Sequence, residues 1–220
     1  MNLIIIPSII RCVNKRLSYS AIRSEYSPEE RFQQILKTIT SVKEKIPNPY
    51  IVLLECSKGI EKYETVLKSK VNEYINYYKI NSEITDAVES MYKGYGESLT
   101  IYTYLKDKTE KLHNQFENIF KISGRYFLNS KFDYNKFNNA ENIFRYYPQY
   151  NVVTTRLYKI NKRYFDLYLS NFLPIIEQCK KGHSIENIIV SNKSSLTYKH
   201  VDYLGVSGYI AVNKNKFIDE

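Results

Sequence analysis

Near the amino end of the chain, two short unbroken apolar runs, Leu3-Ile4-Ile5-Ile6 and Tyr50-Ile51-Val52-Leu53-Leu54, enclose a helix whose start is written with unusual completeness. In Ser27-Pro28-Glu29-Glu30, Ser27 suits the cap, Pro28 the first helical position, and Glu30 closes a capping box at the positive helix end. Behind it Phe32, Ile35, Leu36, Ile39, Val42 and Ile46 fall on one stripe, leaving Arg31, Gln34, Lys37, Ser41 and Glu44 for solvent. Pro47-Asn48-Pro49 breaks the helix. Each apolar run has strand length and no polar alternation, the pattern of a strand covered on both faces. Strand, helix and strand in this order predict a right-handed βαβ unit and a parallel sheet.

The order continues as in a nucleotide-binding half-domain. A second amphipathic helix is expected with Ile60, Tyr63, Leu67, Val71, Tyr74 and Tyr78 on its inner face. Residues 83–87 read as a short edge strand, Gly94 and Gly96 as a turn, and residues 99–112 as a helix. Asn118-Ile119-Phe120-Lys121-Ile122 reads as a buried strand running directly into Ser123-Gly124-Arg125-Tyr126. Beyond it come loops at 129–150 with a short strand near Ile143, a strand at 152–158, a helix at 164–179 distorted by Pro174, and one or two strands within 203–212. No repeat, low-complexity tract or linker divides the chain. The expected architecture is one α/β domain over 1–220, with a central, mostly parallel (mixed) sheet flanked by helices.

Composition sets the class of partner. Of the 220 residues 43% are hydrophobic and 25% charged, the balance of a globular protein with a proper core. A net charge of +9 favours anionic partners: nucleic acid, an acidic membrane or a phosphorylated small molecule. Lys15-Arg16 and Lys180-Lys181 are only pairs, too short for a polybasic patch. Cys12, Cys56 and Cys179 are odd in number and widely spaced, which fits neither a disulfide framework nor a zinc site. The apolar start is too short to span a bilayer and has no basic segment before it, so a cytoplasmic protein is expected.

In open α/β sheets ligands bind beyond the carboxyl ends of the parallel strands, where loops and helix N-termini converge. The first strand feeds a loop holding Arg23, Ser24 and Tyr26, the second ends in Glu55-Cys56-Ser57, and the central one in Lys121-Ile122-Ser123-Gly124-Arg125. A carboxylate at Glu55 is placed for a base or ribose hydroxyl, its alternative being a solvated strand end, while Lys121 and Arg125 are placed to neutralise a diphosphate. Lys93-Gly94-Tyr95-Gly96-Glu97 is neither a P-loop nor a dinucleotide fingerprint; Glu97 starts the helix behind the turn, and Lys93 can face a phosphate. His183 has no partner at metal-ligand spacing.

Five segments together carry a resemblance: Arg23-Ser24-x-Tyr26-Ser27-Pro28-Glu29-Glu30-Arg31; Ile46-Pro47-Asn48 leading into Ile51-Val52-Leu53-Leu54-Glu55-Cys56-Ser57; Lys93-Gly94-x-Gly96-Glu97; Phe120-Lys121-Ile122-Ser123-Gly124-Arg125-Tyr126; and Leu204-Gly205-Val206-Ser207-Gly208. In pattern and order the chain resembles GT-A-type glycosyltransferase-like proteins of giant viruses and microbial surface-glycan loci. The resemblance implies transfer of a sugar from a nucleoside-diphosphate donor to a glycan hydroxyl, in a cytoplasm that is the host's if the chain is viral. It implies a nucleotide-binding half at about 1–128 and an acceptor half at about 129–220. Arg23 would lie over the nucleotide, Glu55 and Ser57 would contact the nucleoside, and Ser123-Gly124-Arg125 would occupy the place of the Asp-x-Asp metal motif of many relatives. No two acidic residues here are separated by a single residue, so Mn²⁺ or Mg²⁺ is left open as a cofactor and no metal ligand is assigned. Lys121 and Arg125 would take over the metal's electrostatic task. Glu186, at the start of a late helix, would be the base for the acceptor hydroxyl, with Asp133 its rival and plain capping the alternative for both. Two other readings stand beside this one. Tyrosines interleaved with lysines at 74–79 and 158–168 suit stacking on single-stranded nucleic acid, and a transferase-like fold can survive as a binding protein without activity.

Overall fold

Residues 1–191 and 197–220 are described in the computed structural model of the chain. The βαβ unit forms as expected. Strand β1 (Asn2–Ser8) leads to helix α1 (Pro28–Lys45) and to strand β2 (Pro49–Glu55), which pairs with β1 in parallel. The Ser27 hydroxyl accepts the Glu30 amide at 3.2 Å while the Glu30 carboxylate accepts the Ser27 amide at 2.7 Å, completing the capping box. The solvent face of α1 is narrower than expected. Arg31 and Ser41 are buried, because Arg31 donates to the Ile9 carbonyl of the loop after β1 and the Ser41 hydroxyl accepts the Leu128 amide at 3.0 Å.

The next helix, α2 (Glu61–Lys70), ends earlier than its apolar stripe suggests. Tyr74 belongs instead to strand β3 (Glu73–Asn76), parallel to β2, and Tyr78 to a turn of 3₁₀-helix. Residues 83–87 are not an edge strand but part of α3 (Ser82–Glu89), capped by Asn81, whose side chain accepts the Ile84 amide at 3.0 Å. Gly94 and Gly96 likewise lie inside a helix, α4 (Lys93–Asp107), followed by α5 (Thr109–Gln115). A Cβ on Gly96 would meet the Val88 Cα at 2.6 Å and one on Gly94 the Cys179 sulfur at 3.1 Å, so both glycines serve close packing rather than a turn.

Strand β4 (Asn118–Ile122) pairs in parallel with β1 and passes through Ser123-Gly124 into β5 (Tyr126–Leu128). A one-turn helix, α6 (Tyr134–Phe137), precedes the antiparallel pair β6 (Ile143–Tyr147) and β7 (Val152–Asn161). Helix α7 (Phe165–Lys180) contains Pro174, and α8 (Ile185–Ser191), β8 (Lys199–His200), β9 (Val206–Ile210) and β10 (Asn213–Asp219) complete the described elements.

The main sheet runs β3-β2-β1-β4-β7-β6-β8. Its first four strands are parallel, and β7 turns antiparallel to β4. A second sheet, β10-β9-β5, is antiparallel. Alternation along β1 and β2 builds two cores: Leu3, Ile5, Val52 and Leu54 pack toward α4 and α7, whereas Ile4, Ile6, Ile51 and Leu53 pack toward α1 and α2. The result is one α/β domain with a mixed central sheet between helical layers.

Candidate active site

A cleft of about 640 Å³ opens beyond the carboxyl ends of β1, β2 and β4. Its walls come from the loop after β1 (Arg11, Cys12, Leu17, Tyr19), the end of β2 (Ser57, Lys58), the start of α4 (Lys93) and the β4–β5 junction (Ser123, Arg125). The far wall holds Thr154, Thr155 and Arg156 of β7, Glu186 of α8, and the β9–β10 turn.

Of the residues singled out in the sequence, Arg23, Ser57, Lys93, Ser123, Arg125 and Glu186 line this cleft, and Gly124 lines a smaller cavity adjoining it. Lining is not the same as availability. The Arg23 guanidinium is spent on backbone carbonyls: Nη1 donates to Val88 at 2.9 Å, Nη2 to Glu89 at 2.7 Å and to Ser90, and Nε to Lys15 at 3.0 Å. It therefore caps the negative end of α3 and fastens the loop after β1 over the sheet. Ser24 closes a local turn, accepting the Tyr26 amide at 3.1 Å and Nη1 of Arg31 at 3.2 Å.

Glu55 is fully buried, and its carboxylate accepts the Ser8 and Ser57 hydroxyls and the Ile10 amide at 3.0 Å. Burial pushes its pKa up, against those three donors and Arg31. Ser57, donating to Glu55 and accepting the Arg11 amide at 3.0 Å, ties the ends of β1 and β2 together. This network is the floor of the cleft, and Glu55 does not reach into its space.

Lys121, also expected to face the ligand, lies beneath the floor with 1% of its side chain accessible. Its ammonium donates to the Ser123 hydroxyl at 2.8 Å, to the Thr155 carbonyl at 2.5 Å, and to the Glu97 carboxylate. Glu97 does more than open a helix. It sits one turn inside α4, 4.0 Å from Lys93 on the same helix face. Burial alone would raise its pKa, but Lys121 and Lys93 hold it down at about 2. The four-residue spacing of Lys93 and Glu97 signals this pair only once Gly94 and Gly96 are read as helical.

Above this layer Lys93 and Arg125 face the open space. Burial in the cleft walls, then the neighbouring Arg125, lowers the Lys93 pKa, although 47% of its side chain remains accessible through the mouth. Arg125 spans Tyr126, its guanidinium 5.4 Å from the ring centre, and makes one long bond of 3.4 Å to the Tyr209 carbonyl. Burial would raise the Tyr126 phenol, but Arg125 and Arg156 bring it below its usual value. Arg156, absent from the sequence reading, is fixed by the Glu220 carboxylate at 2.6 Å.

Glu186 stands in the first turn of α8 and accepts the Thr155 hydroxyl at 2.7 Å. Asp133 is elsewhere. It caps α6, accepting the Asn135 amide at 3.0 Å, and the neighbouring Tyr134 hydroxyl accepts from Asn2 at the amino end of β1. The opposite end of the sheet from the cleft is therefore its place, and the two candidate carboxylates are not brought together.

In the two lysine-rich segments, Tyr77, Tyr158 and Tyr168 are buried in the cores, and Tyr74, Tyr78 and Tyr164 are partly buried against them. At the β4–β5 junction, where the resemblance would place an Asp-x-Asp pair, stand Ser123, Gly124 and Arg125, and a neighbouring carboxylate, Glu97, is engaged by two lysines. Among the described residues no group of three or more His, Cys, Asp or Glu is placed to hold a metal ion. Among the described residues no helix is long and apolar enough to cross a membrane.

No family model matches the chain, and no curated protein matches it in sequence. Solved structures do match in fold. Galactosyltransferase LgtC in complex with donor and acceptor sugar analogs superposes with a TM-score of 0.53 at 9% identity, over 94% of this chain and 86% of that one. An active-site mutant of LgtC superposes with a TM-score of 0.52 at 10% identity, over 96% and 88%. Mouse xyloside xylosyltransferase 1 in its apo form aligns over 92% and 86% at 10% identity with a TM-score of 0.46. At such identities the likeness concerns the path of the backbone, and the chain has a GT-A-like glycosyltransferase fold.

Proposed function

We propose that the chain is a glycosyltransferase that uses a nucleoside-diphosphate sugar as donor and a glycan hydroxyl as acceptor. The observation that carries this reading is the composition of the cleft. Beyond the carboxyl ends of the parallel strands, cations (Arg11, Lys58, Lys93, Arg125 and Arg156) outnumber the two lining carboxylates, Glu186 and the Lys15-paired Glu89, around a space the size of a small-molecule site. A cleft of this volume suits a compact anion, whereas a nucleic-acid strand asks for an extended groove.

In the reaction, the bond between the anomeric carbon and the diphosphate oxygen breaks with its electron pair passing to the diphosphate. The acceptor oxygen forms the new bond to that carbon, and its proton passes to the Glu186 carboxylate. Thr155 holds Glu186 toward the cleft. The nucleoside lies over the ends of β1 and β2, whose spacing the Glu55 and Ser57 network maintains, in the half formed by about residues 1–128. The acceptor enters along β7 and the β9–β10 turn, in the half formed by about residues 129–220. The setting we assign is a reducing cytoplasm, the host's if the chain is viral, where glycans are assembled from activated sugars.

The test is release of nucleoside diphosphate from a panel of nucleotide sugars, with and without simple saccharides as acceptors. One donor should be consumed selectively. Glu186→Gln should lower kcat by about 10²–10⁴-fold, the usual contribution of a positioned base, while donor Kd changes by less than about twofold. An unimpaired Glu186→Gln enzyme would remove Glu186 as the base, and indifference to every nucleotide sugar would remove the transferase reading.

A further inference from the structure

Three cations, Lys93, Lys121 and Arg125, are gathered at the start of α4 and the β4–β5 junction around one carboxylate, Glu97. Their roles differ. Lys121 is sealed beneath the floor with all three ammonium donors filled, and its charge is matched by Glu97. Lys93 and Arg125 both face the main cleft and the adjoining cavity, where Arg125 lies near enough to disfavour the charged form of Lys93. Like charges held together in a partly dry site cost stability unless an anion joins them. Counting both carboxylates that act on Lys93, Glu97 and Glu186, against the three cations still leaves net positive charge, which suits the anionic diphosphate of a nucleotide sugar. A divalent cation placed here would add to that positive charge, and Glu97, engaged by Lys121 and Lys93, is not free to ligate it.

Resting on the transferase reading above, we propose that Lys93 and Arg125 bind the donor diphosphate directly, with no divalent metal, and that Glu97 and Lys121 are positioning residues that hold Lys93 and the β4–β5 junction in place. Lys93 and Arg125 then neutralise the charge that develops on the departing nucleoside diphosphate. Lys121, which the sequence placed on the phosphate, acts from behind through Glu97, Ser123 and the backbone of β7.

Isothermal titration of the full chain with nucleoside diphosphates and with inorganic pyrophosphate, in EDTA and in excess Mn²⁺, tests this. Binding should persist in EDTA, with Kd within about threefold of its value in Mn²⁺. Arg125→Ala and Lys93→Met should each weaken it about tenfold or more, the scale of one lost charge-assisted hydrogen bond. Glu97→Gln separates positioning from simple folding through pH. The groups acting on Lys93 are Arg125, Glu97, Glu186 and Tyr126, and Glu97 is the largest of those favouring its protonated form. Binding should fade as pH rises through the Lys93 pKa, and in Glu97→Gln it should fade at lower pH than in the parent. Should Glu97→Gln fail to fold, the EDTA comparison and the two cleft variants still decide. Binding of nucleoside diphosphate only in Mn²⁺ would overturn the metal-free site and leave the transferase reading standing. Absence of binding by every nucleotide and by pyrophosphate under both conditions would overturn both.

Discussion

The two ends of the parallel strands are built from different chemistry. At the amino end neutral amides join neighbouring strands: Asn118 donates to Asn2 at 3.1 Å, Asn161 donates to Asn118 at 3.2 Å, and Asn2 donates to the Pro47 carbonyl at 2.9 Å. Each amide there is satisfied by protein, and α6 with Asp133 closes over them. At the carboxyl end the same strands terminate in Glu55, Lys121 and Arg125, beside Lys93 and Glu97. Buried amides that complete one another's hydrogen bonds need nothing further. A partly dry cluster with surplus positive charge is electrostatically complete only when an anion arrives. The strand ends thus divide into a structural end and a binding end by the charge of what they carry.

Lys121→Met should produce the largest effect. It leaves Glu97 without its closest cation in the interior, and urea unfolding should show a loss of about 3–5 kcal/mol. Lys121→Met combined with Glu97→Gln should recover part of that loss, because no buried charge is then stranded. Equal loss in the single and double variants would mean that Lys121 matters for packing alone.

Acid should reveal the same pair next. Glu97, held at about 2 when folded, has a lower pKa than in the unfolded chain, so its stabilisation is fully present above about pH 4.3 and is lost as pH falls toward 2. The parent should therefore lose more stability over that window than Glu97→Gln. Parallel unfolding curves for the two would contradict the buried ion pair.

At the amino end, Asn118→Ala should cost about 1–3 kcal/mol by orphaning its amide partners, yet leave nucleotide affinity unchanged. Weaker nucleotide binding in this variant would dissolve the division between the two ends. The smallest effect needs no mutation. Cys12 lines the cleft and is partly accessible, while Cys56 and Cys179 are buried and burial raises both thiols to about 12. Iodoacetamide should label Cys12 first. A nucleoside diphosphate at about ten times its Kd should slow that labelling roughly tenfold by occupancy alone. Unchanged labelling under saturating nucleotide would place the ligand elsewhere.

The strands and the helix between them are more legible in the sequence than the binding end. Leu3 to Ile6, the Ser27 capping box and the run from Tyr50 to Leu54 announce themselves because continuous apolarity and capping are local signals. The α3–α4 region misleads because Gly96 is there for the approach of Val88, a tertiary cause that looks like a turn in one dimension. Reading a turn there hides the helical pairing of Lys93 with Glu97, and with it the reason Lys121 can be buried. Residue types at the strand ends are visible in the sequence, but their directions are not: Arg23 turns to the carbonyls of α3, Glu55 to the floor, and Lys121 to Glu97. Hydrogen-bond partners many positions away decide such orientations, and no local pattern encodes them.

The most direct test of the account is a thermal-shift panel of nucleoside diphosphates and nucleotide sugars on the full chain, with single-stranded oligonucleotides as controls. The account predicts selective stabilisation by one nucleoside diphosphate and its sugar conjugate, rising with concentration as binding to the folded state requires. No shift with any nucleotide, together with a salt-sensitive shift with oligonucleotides, would contradict it and assign the basic surface to nucleic acid.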